Sequence, residues 1–375
     1  MKKNKKHTAI RIIVSVLVLV IIFAATIILL PGDEFISANS LLRNVGRVFG
    51  SGPSVSESFE FEASMGNVFS QINGMLVVGS PSGAACYDGE GNTIVSTDHI
   101  MSSPAISSGT KKAAVWDIGG TKLKIIESTG GVRDMTAQGA LISVSLNKND
   151  WMAVASEETG YKGLVTVFDK SLSPKFKWYS GEGYLIDAAI SPDSKSMTAV
   201  TLTEQGSRIV TFGFDSETER GSYIAENRLV FDIEYLADNK ICALSETGMT
   251  ILNSELKPEA EYRYEGEYLK DYSLDGDGFA LLVLGKHKAG ETGRLITVSA
   301  DGRELGSIDV DGELLSISAA GKYLVAVYSD KTVVYTPTFK IYGELADTTG
   351  IKNAVMCRNG KAIIISGYGA AVFEP

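Results

Sequence analysis

The chain has 375 residues, 35 Lys and Arg against 45 Asp and Glu, and a formal charge of −10. That length suits one large domain or two ordinary ones, and 39 glycines with only 9 prolines suit many tight turns rather than disorder. The acid excess argues against a nucleic-acid partner, whose binding rests largely on neutralising phosphates.

The charge is unevenly divided. Residues 1–30 hold five basic side chains and no acid, which leaves 30 basic and 45 acidic residues, or −15, in the remainder. The start, "MKKNKKH", forms a short basic tail over residues 1–8. Residues 9–31 then form an apolar run with no charge between Arg11 and Asp33. About 20 apolar residues at about 1.5 Å each span a hydrocarbon core of about 30 Å. A cleavable signal has a shorter apolar run and a small-residue site after it. A retained membrane helix is therefore predicted. Lysines before it, and Asp33 and Glu34 after it, orient the N-terminus to the cytoplasm and the body outside. Membrane lipid is the first expected partner.

Residues 32–56 read as a juxtamembrane linker. Leu41, Leu42, Val45, Val48 and Phe49 fall at helical spacing, with Arg43 and Arg47 on the polar face. A short amphipathic helix is predicted there, either resting on lipid or packing on the body.

From about residue 57 the pattern is short alternating or β-branched runs cut by Gly, Asn, Asp and Pro, which is the pattern of an all-β fold. One unit recurs: a strand, a tight polar turn, and a more apolar strand. "AISPDSKSMTAV", from Ala189, shows it, as do "AISSGTKKAAVW" from Ala105 and "SISAAGKYLVAV" from Ser316. The last turn residues are Gly74, Lys111, Asp150, Lys195, Lys240, Gly278, Lys322 and Lys361, at steps of 37, 39, 45, 45, 38, 44 and 39. That is the length of a four-stranded propeller blade. A second hairpin recurs as "CYDGEGNTIV", "VFDKSLSPKFKW" and "ILNSELKPEAEY", with Asp or Asn to pre-form the turn. The last unit stops after its third strand. The strand over 57–63 is predicted to supply the fourth and close the ring, which would leave only short protected edges. The expected fold is an eight-bladed β-propeller over residues 57–375, with seven blades as the alternative count.

"VFDKSLSPKFKW" resembles the quinoprotein-like repeat, and "AAISPDSKSMTAVT" resembles repeats of WD40-related propellers. The chain as a whole resembles uncharacterised membrane-anchored propeller proteins of Gram-positive bacteria. The resemblance implies the fold and a scaffold or binding role. Only Trp178, of three tryptophans, falls at the quinoprotein motif position, so no cofactor is expected.

Catalytic motifs are scarce. Three histidines, one of them in the basic tail, make no His-rich metal site, and no metal is expected. Cys86, Cys242 and Cys357 lie far apart in apolar runs and read as small buried hydrophobes. "DGDG" at Asp275–Gly278 has a calcium-loop look but lacks the later ligands and reads as a hairpin turn. "DIGGT" at Asp117–Thr121 reads as the turn of a second hairpin.

Acids repeat between and within the units. Glu182, Glu226, Glu267 and Glu313 precede incoming inner strands. Six residues before Asp193, Asp238 and Asp277 stand Asp187, Asp232 and Asp271, and the same count reaches Ser143 and Asn353. Inner strands border the central channel. The expectation is an acidic channel mouth that attracts a cation or basic peptide. The longest insertion, Gly285–Arg294, carries Lys286, His287 and Lys288 as a candidate partner-binding loop, with Tyr161, Tyr179, Tyr184 and Tyr268 on the same face. The function expected is a non-enzymatic binding or scaffolding module, tethered outside the cell membrane, with a cell-envelope protein or cell-wall partner. The alternative is a cell-wall glycan hydrolase or lyase using carboxylates such as Glu182 and Glu267.

Overall fold

The computed structural model describes residues 53–289 and 293–375. The predicted membrane helix at 9–31 and the amphipathic stretch at 41–49 lie outside the described residues. Regular structure within them is entirely β, and no helix there is long and apolar enough to cross a membrane.

The strands form eight antiparallel sheets in chain order, so the blade count is eight. Each blade begins with its inner strand: Val68–Ile72, Pro104–Ser108, Leu141–Leu146, Tyr184–Ile190, Val230–Ala237, Tyr268–Ser273, Leu314–Ala320 and Ile351–Met356. The predicted turn residues Gly74, Lys111, Asp150, Lys195, Lys240, Gly278, Lys322 and Lys361 all fall where an inner strand turns back into the second strand. These turns lie on what is called here the lower face. Connections between blades, and between second and third strands, lie on the upper face. "DIGGT" is one of the latter, joining Lys112–Asp117 to Lys122–Glu127, rather than the turn of a second hairpin.

The second-hairpin turns form as their chemistry demands. Asp169 Oδ1 accepts from the amides of Ser171 and Ser173, and Asn253 Oδ1 from those of Glu255 and Lys257. Asp88 makes the same pair with Glu90 and Asn92. A side-chain acceptor two and four residues ahead fixes the turn before the strands pair.

Burial explains the strand sequences. Second strands such as Phe279–Gly285 are buried throughout, whereas outer strands such as Glu304–Asp309 alternate exposed and half-buried. Both faces of a second or third strand meet a neighbouring blade, so continuous apolar runs are required there. The core is not one body but eight clusters, one for each seam between adjacent blades. Cys86, Cys242 and Cys357 are buried in three of these seams and unpaired.

The eighth seam, between blades eight and one, is completed by the segment that closes the ring. Ser54–Val55 and Phe59–Glu60 pair with Gly369–Glu374, in register Ser54 with Glu374 and Phe59 with Ala370. This fourth strand of blade eight is two short pieces that start before residue 57. Phe61 follows into the seam, 7% exposed, and meets Phe69 edge-on at 5.6 Å.

Candidate functional site

The inner strands carry a shared irregularity. In six blades a β-bulge falls one residue before a polar side chain: the predicted Ser143, Asp187, Asp232, Asp271 and Asn353, and also Ser316, each follow an extra residue. A bulge re-aims the side chain beside it. The re-aimed groups turn sideways toward the next blade rather than straight at the channel axis. Asp187 Oδ2 accepts from the amide of Ile233 at 3.3 Å, and Asp232 Oδ2 from the hydroxyl of Tyr272 at 2.7 Å. Ser107, Ser273 and Ser318 likewise accept from the amides of Leu146, Ala319 and Met356. An inner strand has no sheet partner on its channel side, so its amides need acceptors. Much of the polar ladder therefore laces one blade to the next.

That lacing places carboxylates close together. Burial first, and then the neighbouring Asp232, push the Asp187 carboxyl up to about 7. Burial likewise pushes Asp232 up to about 6, against the hydrogen bond from Tyr272. Asp271 is also raised by burial, though solvent reaches it. Two acids that simple counting passed over join them. Glu234, two residues beyond Asp232, is held well above its ordinary value by burial and by Asp275, Asp232 and Asp187. Asp275 is raised by burial, with Arg358 and Lys148 opposing. Glu234 was within reach of the alternation rule, since residues two positions along a strand share a face, whereas Asp275 lies beyond the end of its strand at Ser273. Among the described residues no group of three His, Cys, Asp or Glu is placed to hold a metal ion.

Glu234 and Asp275 line a channel cavity of about 320 Å³, together with Ser108, Ser318, Asn353 and Arg358. Asp187, Asp232 and Asp271 are not in its walls and stand nearer the upper end of their strands. The lower mouth is spanned by ion pairs. Asp277 Oδ1 accepts from Lys148 Nζ at 2.5 Å and from Arg358 at 2.8 Å, joining blades three, six and eight. The "DGDG" turn is pinned for this task. The Asp277 amide donates to Gly321, and that of Gly278 to Leu236, so both neighbouring blades hold it. Burial alone would raise Asp277, but Lys148 and Arg358 outweigh it and hold the carboxyl low.

The four predicted glutamates do not act as one set. Glu182 and Glu313 lie exposed just before their inner strands. Glu226 ends the outer strand of blade four, so it sits on the rim, not over the channel. Glu267 is half-buried and gripped by both Nε and a terminal nitrogen of Arg294, at 3.0 and 2.6 Å, which draws it toward its own blade's third strand. Lys286, His287 and Lys288 are exposed at the upper end of blade six, and residues 290–292 of that loop lie outside the described residues.

The upper face has a further property. Of sixteen exposed large hydrophobic side chains among the described residues, eleven lie at upper strand ends or connections and the other five on outer strands. Tyr161, Tyr184, Leu202, Leu229, Tyr268 and Tyr368 are among the eleven. A cleft of about 930 Å³ lies instead on the lower face beside Trp151, Phe214 and the Ser191–Ser196 turn. Two of its polar groups are engaged within the fold, Asp193 by Ser191 and Arg220 by Asp215.

Residues 50–343 match the model of a family described as "Family of unknown function (DUF5711)". The chain belongs to that family. No curated protein matches this DUF5711 member in sequence. Among solved structures it is similar to the C-terminal WD40 domain of Sif2, with a TM-score of 0.60 at 15% identity over 86% of this chain and 99% of that one. It is also similar to BamB from Moraxella catarrhalis, with a TM-score of 0.56 at 12% identity over 86% of this chain and 100% of that one. At such identities the likeness is one of fold.

Proposed function

We propose that this DUF5711 member is a binding or scaffolding module whose upper face takes a protein partner in the cell envelope. The single observation that carries this is the bias of exposed apolar and tyrosine side chains to one end of the ring, where eleven of sixteen lie, distributed round its blades. Exposed apolar patches of this kind mark interaction sites, and tyrosine is a common anchor in them. The apolar run at 9–31, with lysines before it, supports a tether that leaves the propeller outside the membrane.

The hydrolase reading through Glu182 and Glu267 has less support. A retaining or inverting pair needs two carboxyls about 5–10 Å apart, one of them with a raised pKa. Glu267 is committed to Arg294 instead.

Two measurements test the proposal. A photo-crosslinking residue at Leu202 or Leu229 is expected to trap one discrete species in intact cells, and one at Leu305 on an outer strand is not. Equal trapping at all three, or none, overturns the module reading. For placement, Ser216→Cys on an exposed turn is expected to react with a membrane-impermeant maleimide in intact cells. The three native cysteines are buried and give little background. Labelling only after lysis would place the propeller inside.

A further inference from the structure

The cleft of about 930 Å³ on the lower face runs from blade three, across the turns of blade four, to those of blade five. Its size is within the roughly 300–1,000 Å³ of small-molecule sites. Two aromatic rings border it. Trp151 and Phe214 are half-buried and parallel to within 3°, with centroids 5.6 Å apart. Both pack against the seam between blades three and four, which holds the pair in place. Around them stand polar groups with no task in the fold. Among the described residues, the side chains of Lys195, Asp238, Asn239 and Ser254 are exposed and make no hydrogen bond or ion pair. The Trp151 indole N–H is neither bonded nor buried.

The mixture of these groups selects the ligand. Trp151 and Lys195 only donate, the Asp238 carboxylate only accepts, and Asn239 and Ser254 do both. Neither charge sign dominates: Lys195 is set against Asp193 and Asp238, and Arg220 is neutralised by Asp215. An ion of either sign would meet part of this lining and be opposed by the rest. A hydroxyl donates and accepts through one atom, so a ligand rich in hydroxyls satisfies both kinds of group. The rings require an apolar surface as well. A pyranose with equatorial hydroxyls carries them on its rim and C–H bonds on its two faces. Those hydrogens suit the negative face of an aromatic ring. We propose that this cleft binds a neutral saccharide chain built of such rings. The inference does not rest on the reading of the upper face.

The test uses the full chain in micelles of a detergent without a sugar headgroup. Isothermal titration is made with chitotetraose and cellotetraose, both β-1,4-linked. At least one is expected to bind with a Kd below about 1 mM, and sorbitol, which has hydroxyls but no ring face, is not. Trp151→Leu keeps apolar bulk, removes the ring, and should weaken binding about fivefold. Asn239 holds a φ of 60°, which glycine also adopts, so Asn239→Gly removes the amide without straining the turn. It and Asp238→Ala should each weaken binding about fivefold at unchanged melting temperature. These two carry the test if Trp151→Leu fails to fold. Binding of neither tetrasaccharide, equal binding of sorbitol, or full affinity in both Asn239→Gly and Asp238→Ala overturns the inference. So does tighter binding of tetralysine or tetraglutamate that the same changes abolish, which would make the cleft an ionic peptide site.

Discussion

Asp187 makes folding depend on pH. Its carboxyl titrates at about 7 in the fold against an ordinary 3.8, so between those values the folded chain holds a proton that the unfolded chain releases. The sign follows: a raised carboxyl contributes stability that is complete below the unfolded value and is lost as pH rises through the folded one. Asp187→Asn should therefore stabilise the protein at neutral pH, by about 1–2 kcal/mol once screening by channel water is allowed for. Asn still offers an oxygen to the Ile233 amide. The gain should grow from about pH 4 to about pH 7, level off above, and vanish below about pH 4, as read by melting temperature. A gain independent of pH would show that the carboxyl is not what titrates. This residue was legible in the sequence because its distance from the turn is fixed by strand length. Asp275 was not, because it lines the channel from beyond the end of its strand, where no period runs.

Bulges and clasp strands are where local pattern and ring geometry meet. Periodicity located every inner hairpin, since apolar second strands and Asp, Asn or Gly turns are local properties. It could not show the bulges, which are a mismatch between two strands and have no signature in either alone. Nor could it show the Lys148–Asp277 pair, whose members lie 129 residues apart. Asp277 had served only as a landmark for counting. Its side chain is 41% exposed, so Asp277→Asn should cost under about 1 kcal/mol per lost pair. The same change should speed hydrogen exchange at the Gly278 amide, as the turn loses its hold across the mouth. Unchanged exchange there would mean that backbone bonds alone fix the turn. Phe61 gives the opposite balance. It is a single buried ring filling the seam between blades eight and one, and Phe61→Ala should cost about 3 kcal/mol and lower the melting temperature.

At the scale of the molecule, eight seams of similar composition share the core, so no one seam fixes the number of blades. The count was readable because the repeat length, 37 to 45 residues, is set by four strands and their turns. The use of each end of the ring was less readable. Tyrosines and leucines sit in connections of unequal length, and only their convergence on one face makes them a surface.

The clasp of blade eight has a consequence for how the protein reaches this state. Ser56 is bonded to Val372, 316 residues away, so the clasp strand must wait for the strand Gly369–Glu374 before it can pair. Contacts over such separations form slowly. Until they do, two complementary sheet edges stand open in every chain. When several chains refold together, the edge offered by one is chemically identical to that of its neighbours. Exchange of residues 54–60 between rings should then give a reciprocal dimer. Refolding at rising protein concentration, followed by size-exclusion chromatography, should show that dimer increasing at the monomer's expense. It should disappear when the clasp residues are deleted.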